Sequence, residues 1–257
     1  MDLDRASLER ALAAAGCITP SDEADALLQA AGDDPRALTS MLERRIDGEP
    51  LAWITGSIRF CGLDVRVTRG VYAPRWQTEP LARRAASLLP SDGAAVDLCT
   101  GAGAVAMVLN AAAPNARVVA TDVDPLAVAC ARTNGVEAYA GILDEPLPRA
   151  LEAVVDVLTA VPPYVPTGEL RYLPRDVQAH EPIAALDGGA DGTDVLAEIV
   201  RRAPRWLRSG GALVLELGGD QATMLEPVLR DAGFDPPEVL RDAEEDPRGI
   251  LARLAQR

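Results

Sequence analysis

The sequence contains no lysine, and all 25 of its basic residues are arginine. Its 39 aspartates and glutamates outnumber them, which leaves a formal net charge of −14. Binding to nucleic acid depends on neutralising phosphates with a basic surface, so this composition argues against a nucleic-acid partner. An acidic surface attracts cationic ligands instead, although it also serves solubility.

Histidine and cysteine are scarce. The single histidine, His180, excludes a metal site built from several histidines, and we expect it to be a loop residue rather than a base. The cysteines are spread along the chain without a Cys-x-x-Cys pair, at Cys17, Cys61, Cys99 and Cys130. This spacing predicts reduced structural cysteines and no metal framework.

Long apolar runs are also missing. No stretch reaches the roughly 18–20 apolar residues that span a bilayer, so we expect no membrane partner. The opening "MDLDRASLER" lacks the basic start and apolar middle of a signal peptide. With 257 residues and a mean hydropathy of +0.05, we expect a cytoplasmic protein with one large α/β domain and a smaller unit.

The first 50 residues predict a small bundle of short helices. Ser21 is a predicted N-cap before an acidic first turn, and Asp34 precedes a proline that opens the next helix. Residues 47–56 are expected to be a linker. Residues 57–68 alternate in polarity around a glycine and predict a β-hairpin.

From about residue 78 the pattern alternates between strands and helices. The predicted strands are 94–98, 116–122, 136–140, 153–160 and 211–217, and the predicted helices are 103–113, 125–135, 194–207 and 221–233. The last segments, 237–242 and 249–255, are predicted antiparallel partners. This alternation predicts an α/β fold with a doubly wound, mostly parallel sheet that ends in an antiparallel hairpin.

A glycine-rich turn follows the first strand of that sheet, in "DLCTGAGAVA" (97–106). Gly101 and Gly103 allow a sharp turn that brings the backbone close to a ligand, and Asp122 ends the next strand where ribose hydroxyls would lie. The glycines also fit a dinucleotide fingerprint. Asp97 suits an ammonium group rather than a pyrophosphate, which favours S-adenosylmethionine. A nicotinamide enzyme and a non-catalytic binder remain alternatives.

Further motifs resemble the HemK/PrmC family, which methylates the glutamine side chain of peptide-chain release factors. They are "RRIDGEPLAWITGSIRFCG" (44–62), "APRWQTEPL" (73–81), "ATDVDPLAVACARTNG" (120–135), "HEPIAALDGGADG" (180–192) and "LELGGDQ" (215–221). The resemblance implies a helical substrate-recognition domain on a Rossmann-like, S-adenosylmethionine-dependent methyltransferase domain, with S-adenosylhomocysteine as product. The predicted domains are 1–50 and 73–257, joined by a linker and hairpin over 51–72.

The resemblance also implies a set of cofactor contacts. They are Asp97, Thr100, Gly101 and Gly103 for the methionine part, Asp122 for the ribose, Ile142 for the adenine, and Arg75 and Thr78 at the edge of the site. Ile142 stands where the family usually has an acid near the adenine amine, and Asp144 is a candidate to compensate. A structural ion pair between Arg75 and Glu79 is the alternative role for those two residues.

The stretch "TAVPPYVPT" (159–167) resembles the family's Asn-Pro-Pro-Tyr signature, with Val161 in place of the asparagine. In the family, the asparagine oxygen and a proline carbonyl accept the N–H groups of the substrate amide and aim its nitrogen. Valine has no acceptor. The predicted catalytic residues are Val161, Pro162 and Tyr164, and Pro163 is a predicted substrate contact.

The substitution leaves three interpretations. The preferred one is methyl transfer to another nitrogen, in a small cationic or guanidino compound such as free arginine. The carboxylates of Glu79, Glu181 and Glu216 would bind it. The alternatives are glutamine methylation of release factors and an inactive cofactor-binding interaction module.

Overall fold

The computed structural model describes residues 4–256, except for the side chains of residues 175 and 176. The chain begins with helices α1 (Arg5–Ala14), α2 (Pro20–Ala31) and α3 (Pro35–Ile46). Their apolar faces meet in a cluster of their own that includes Leu8, Leu27 and Leu42. The predicted N-terminal helical bundle is therefore present.

Side-chain caps explain where α3 begins, but not where α2 begins. Asp34 Oδ1 accepts the backbone N–H of Arg36 at 2.9 Å, as predicted for this cap. The cap predicted at Ser21 is wrong. Helix α2 begins at Pro20, and the Ser21 hydroxyl accepts a hydrogen bond from Arg5 at 2.8 Å instead.

The segment expected to be a linker contains a short buried helix, α4 (Leu51–Thr55). Its Ile54 packs with the N-terminal helices, whereas Trp53 packs against the core beside the large sheet. The Trp53 indole also donates to the carbonyl oxygen of Val71 at 2.8 Å. This segment therefore joins the two parts by packing, and the domain boundary at residue 50 stays a prediction.

The predicted hairpin follows at once. Strands β1 (Ser57–Phe60) and β2 (Leu63–Arg66) pair antiparallel. The turn between them uses Cys61 and Gly62, both with positive φ. The backbone N–H of Cys61 donates to Glu79 Oε1 at 3.0 Å, so the hairpin is held against the start of the next helix.

A seven-stranded sheet forms the centre of the described part of the chain. The strands are β3 (Ala94–Leu98), β4 (Arg117–Asp122), β5 (Glu137–Ala140), β6 (Val155–Ala160), β7 (Leu207–Glu216), β8 (Glu238–Arg241) and β9 (Pro247–Arg253). Their order is β5-β4-β3-β6-β7-β9-β8. The first five strands in that order are parallel, and β9 and β8 are antiparallel to their neighbours. The predicted doubly wound sheet with a C-terminal antiparallel hairpin is confirmed.

Helices cover both faces of this sheet. They are α5 (Glu79–Leu88), α6 (Ala104–Ala112), α7 (Pro125–Thr133), α9 (Asp194–Arg202) and α10 (Gln221–Asp231), whereas the short helix α8 (Arg175–His180) lies in the connection between β6 and β7. One core lies between the sheet and α5, α6 and α7, and another lies between the sheet and α9 and α10. None of the helices in the described residues is both long enough and apolar enough to cross a membrane. The carboxyl ends of β3, β4, β6 and β7 are thereby left to carry the site.

Candidate active site

The turn between β3 and α6 depends on glycine for two different reasons. Gly101 has a φ of +56°, yet a Cβ there would meet only a backbone oxygen at 3.9 Å, so its conformation is what requires glycine. Gly103 has a φ of +85°, and its Cβ would lie 3.0 Å from the Cβ of Ala131 on α7. Close packing of two helices therefore requires glycine at the second position. The result is a tight turn that presents the first N–H groups of α6.

Asp97 lies at the end of β3, buried beneath this turn. The Thr100 hydroxyl donates to its Oδ2 at 2.6 Å, and the Thr159 hydroxyl donates to its Oδ1 at 2.7 Å. Burial raises the pKa of Asp97 to about 6, although the two hydroxyls oppose this shift. A nearby cation would favour the charged form, which is compatible with the predicted ammonium contact.

Asp122 ends β4 and ties the turn to the next strand. Its Oδ2 accepts the backbone N–H of Gly101 at 2.8 Å, and its Oδ1 accepts that of Asp124 at 2.9 Å. The carboxylate is half-buried, and burial raises its pKa. Each oxygen retains a lone pair, so the group can also accept from a pair of ligand hydroxyls.

Two exposed apolar residues lie close to Asp122. Val123 follows it and is 63% exposed, and Ile142 is 54% exposed. Ile142 comes directly after Gly141, whose N–H donates to the Asp122 carbonyl at 2.9 Å. Exposed apolar groups beside the carboxylate that is predicted to bind ribose suit the faces of an adenine ring. Together with the glycine turn, they show that this edge of the sheet fits an adenosyl ligand.

The proposed compensation by Asp144 is wrong. Its Oδ1 accepts from Arg202 on α9 at 2.9 Å, and its Oδ2 accepts from the buried indole of Trp206 at 2.8 Å. The carboxylate is buried among these partners, and both oxygens are engaged by the layer beneath the sheet. The neighbourhood of Ile142 is therefore apolar without help from Asp144.

Arg75 and Glu79 do not form the ion pair considered above. The Arg75 guanidinium pairs with Glu181 Oε2 at 2.6 Å and stacks over the ring of Tyr72 at 4.9 Å. Glu79 instead accepts from Arg83, one turn further along α5, at 2.6 Å, and from the hairpin. Glu79 thus faces away from the other predicted substrate carboxylates.

A cavity of about 960 Å³ opens beside the ends of β6 and β7. The N-terminal helices form one wall, and the ends of β6 and β7 with the segments beside them form the other. Its lining includes the predicted residues Arg75, Val161, Pro162, Tyr164, Glu181 and Glu216. Pro163 contributes its backbone to another contact, since its carbonyl oxygen faces Gly188 closely enough to exclude a side chain there.

Tyr164 and Glu216 meet inside this cavity. The Tyr164 hydroxyl donates to Glu216 Oε1 at 3.0 Å. Burial raises the pKa of Glu216, while the nearby hydroxyls of Thr78 and Tyr164 lower it. Burial and the adjacent carboxylate also raise the pKa of Tyr164, which therefore remains a phenol and a hydrogen-bond donor.

Sequence reasoning missed two residues that shape this site. Gln221, at the start of α10, donates to the carbonyl oxygen of Tyr164 at 2.7 Å. Tyr72 stacks under Arg75 and accepts from it at 3.3 Å. Gln221 ends the "LELGGDQ" motif, which is the signal in the sequence that could have identified it. Only the tertiary structure shows that its side chain holds the backbone of Tyr164. His180, at the end of α8, packs edge-on against Trp53.

Comparisons with known proteins agree with this architecture. A family model described as methyltransferase small domain matches residues 78–169. A release factor glutamine methyltransferase from Geobacter sulfurreducens is 38% identical over 204 residues, which cover 77% of this chain and 71% of that protein. Another from Mycolicibacterium smegmatis is 37% identical and is matched over 95% of both chains.

One similarity to a solved structure supports the fold alone. The crystal structure of ribosomal protein L11 methylase from Lactobacillus delbrueckii subsp. bulgaricus matches with a TM-score of 0.52 and 17% identity. The match covers 75% of this chain and 86% of that chain.

Proposed function

We propose that the chain methylates the side-chain nitrogen of a glutamine in a release-factor protein. The chain belongs to the HemK/PrmC family of release factor glutamine methyltransferases. The chain is an S-adenosylmethionine-dependent methyltransferase. The assignment of glutamine as the substrate rests on how much of the chain is similar to these relatives. The similarity to the Mycolicibacterium smegmatis enzyme extends over 95% of both chains, so it includes the N-terminal helices and the substrate turn.

The guanidino substrate expected above has less support. Relatives at this level of identity are glutamine methyltransferases. Two of the three carboxylates expected to bind a cation are also engaged by arginines of the chain itself, Glu79 by Arg83 and Glu181 by Arg75. Only Glu216 remains in the cavity without an arginine partner among the described residues.

The residues of the glycine turn would hold the methyl donor. We assign Asp97 to the ammonium group, the turn at Thr100–Gly103 to the methionine part, Asp122 to the ribose hydroxyls, and Ile142 to one face of the adenine. S-adenosylmethionine supplies a methyl group on a positively charged sulfur. Because such a methyl group is already reactive, the protein needs chiefly to orient the nucleophile in line with it and exclude water.

Orienting an amide nitrogen is demanding because its lone pair is delocalised into the carbonyl. The residues at the ends of β6 and β7 lie where the nitrogen must be held. The carbonyl of Pro162 and the side chains of Tyr164 and Glu216 offer polar groups there, whereas Val161 offers none. An acceptor missing in a buried polar site costs roughly 1–3 kcal/mol, so another group must replace it for efficient turnover.

A labelling experiment tests the proposed function. The purified enzyme is incubated with methyl-labelled S-adenosylmethionine and recombinant release factor from the same genome, and the modified residue is located by mass spectrometry. We expect label on a glutamine side chain, and none when that glutamine is replaced by alanine. A parallel reaction contains free arginine. Label on arginine with none on the release factor would reject glutamine methylation.

A further inference from the structure

The ends of β6 and β7 place two residues side by side at the floor of the cavity. The parallel register pairs Ala160 with Leu215, Val161 and Glu216 are the residues that follow them, and both line the cavity. Adjacent strands lie about 4.8 Å apart, and paired residues of parallel strands point to the same face. The residue without an acceptor is therefore adjacent to a carboxylate.

Glu216 has an unused acceptor. The residue is only 5% exposed, and its Oε1 accepts from Tyr164. Its other oxygen, Oε2, is buried without a hydrogen-bond partner among the described residues. Buried carboxylate oxygens are normally satisfied, so an unsatisfied one that lines a cavity indicates a ligand donor. The amide oxygen of Gln77, which also lines the cavity, is buried and unsatisfied in the same way.

We propose that Glu216 Oε2 accepts an N–H hydrogen bond from the nitrogen to be methylated and then takes the proton which that nitrogen releases. This inference rests on the proposed function for the identity of the substrate, a primary amide. It assigns to a glutamate at the end of β7 the role of the acceptor that Val161, just after β6, cannot supply. Glu216 would thus be a catalytic residue in contact with the reacting nitrogen.

The surroundings of Glu216 suit both parts of this role. The Tyr164 hydroxyl donates to its Oε1, and the Thr78 hydroxyl lies nearby; both lower its pKa. Tyr72 also faces it. Arg248 is the cation that acts on it, and this arginine is itself paired with Asp242 at 2.6 Å. Since its positive neighbour is already engaged, Glu216 remains available to a substrate N–H and to a proton.

Methyl transfer to the amide nitrogen needs only one base, Glu216. The nitrogen lone pair forms the new C–N bond while the C–S bond of the methyl donor breaks, and its electron pair stays on sulfur. The positive charge passes from sulfur to nitrogen. The N–H proton moves to Glu216 Oε2, which leaves a neutral N-methyl amide, neutral S-adenosylhomocysteine and a protonated glutamate. Solvent removes the proton when the product leaves.

The Glu216→Gln variant tests the proposal because glutamine keeps the shape and removes the base. We expect its kcat on release factor to fall roughly 100-fold or more, the usual size of a general-base contribution, with unchanged affinity for S-adenosylhomocysteine. Glu238→Gln is the matched control, since Glu238 is an exposed carboxylate paired with Arg84. A Glu216→Gln variant within twofold of wild type would overturn the proposal.

Two further readouts separate this role from a structural one. Burial raises the pKa of Glu216 above its usual range, so kcat of the wild type should rise with pH through that shifted value. Glu216→Gln should lack this rise. Adding Val161→Asn to Glu216→Gln restores an acceptor without a base, so it should lower KM without restoring the pH-dependent kcat. An unchanged pH profile in Glu216→Gln would contradict proton transfer.

A binding measurement tests the site without turnover. In the complex with S-adenosylhomocysteine, the ¹³C carboxyl signal of Glu216 should shift on addition of propionamide and not of methyl propionate, which lacks the N–H. A wild-type enzyme inactive on release factor would reject the proposed function, and this titration would still decide the role of Glu216. Equal responses to both compounds, or none to either, would overturn the inference.

Discussion

Asp97 shows how a single buried carboxylate can couple ligand binding to stability. Two threonine hydroxyls hold it, and burial raises its pKa to about 6. A carboxyl whose folded-state pKa is raised stabilises the fold below its unfolded value. This contribution is lost as the pH rises through the folded value. Wild-type stability should therefore decline between about pH 4 and pH 7 on account of Asp97.

Asp97→Asn should remove this decline. Relative to wild type, the variant should gain up to about 3 kcal/mol in free energy of unfolding as the pH rises from 4 to 7. Urea denaturation at several pH values measures the difference, and Glu238→Gln controls for the loss of one acidic charge. A stability difference that does not change with pH would contradict this account of Asp97. Weaker binding of S-adenosylhomocysteine by Asp97→Asn would support its ligand contact.

Val161 is the second residue whose substitution is informative. Val161→Asn adds an amide oxygen beside Glu216, where the substrate nitrogen is expected. One well-placed hydrogen bond contributes about 0.5–1.5 kcal/mol, so kcat/KM on release factor should rise several-fold. Steady-state kinetics test this expectation. Val161→Leu, which adds no acceptor, is the matched variant, and an equal gain from leucine would show that hydrogen bonding is not the cause.

At the scale of elements, the connection after β5 is held to α9 through Arg202, which pairs with Asp144 at 2.9 Å and with Glu145 at 3.7 Å. Asp144 lies in this connection and accepts from Arg202 and from the indole of Trp206. The same connection carries Ile142, which flanks the predicted adenine position. A polar link to α9 thus holds the connection that carries Ile142, the predicted adenine contact.

Asp144→Ala should cost roughly 1–3 kcal/mol of stability, because it leaves the Trp206 indole N–H buried without an acceptor. Asp144→Asn keeps an oxygen for the indole and should lose less. Urea denaturation compares the two, and hydrogen exchange over residues 141–148 reports whether the connection loosens. Equal stability of the alanine and asparagine variants would mean that the hydrogen bond to the indole contributes little.

At the scale of the whole molecule, the cavity lies between the N-terminal helices and the sheet, and its rim is apolar. Ile18 after α1 is 93% exposed, and Trp76 before α5 is 69% exposed. Both line the cavity, one from each wall. Large exposed apolar side chains on the two sides of a cavity are typical of a surface that receives a protein partner. We expect the release factor to contact both walls.

The double variant Ile18→Ser and Trp76→Ser should raise KM for release factor about tenfold or more, as expected when interface anchors are lost. Affinity for S-adenosylhomocysteine should change less than KM, because neither residue is one of the predicted cofactor contacts. Val154→Ser, an exposed apolar residue before β6, is the control. An unchanged KM in the double variant would exclude this rim as the docking surface.

Much of the fold could be predicted from local pattern. The boundaries of β3 agree with the prediction at both ends, and the other strands of the sheet shift by a few residues. Apolar runs that alternate with amphipathic helices permit few arrangements, so the parallel sheet and its closing hairpin follow. Local pattern failed at α4, because a short apolar segment between glycines resembles a linker until its packing partners are known.

The cofactor turn was likewise visible in the sequence, because glycine spacing and a strand-ending acid are local features. Which carboxylate serves the substrate was not. Glu79, Glu181 and Glu216 were equivalent candidates by sequence, and only the tertiary structure pairs the first two with arginines and leaves an oxygen of Glu216 unsatisfied. Residues 161 and 216 are distant in the chain and become neighbours through strand register. The sequence by itself therefore determined the fold and predicted the methyl-donor site. Tertiary packing decided the polar partners of each buried carboxylate, and those partners set its charge and its chemical role.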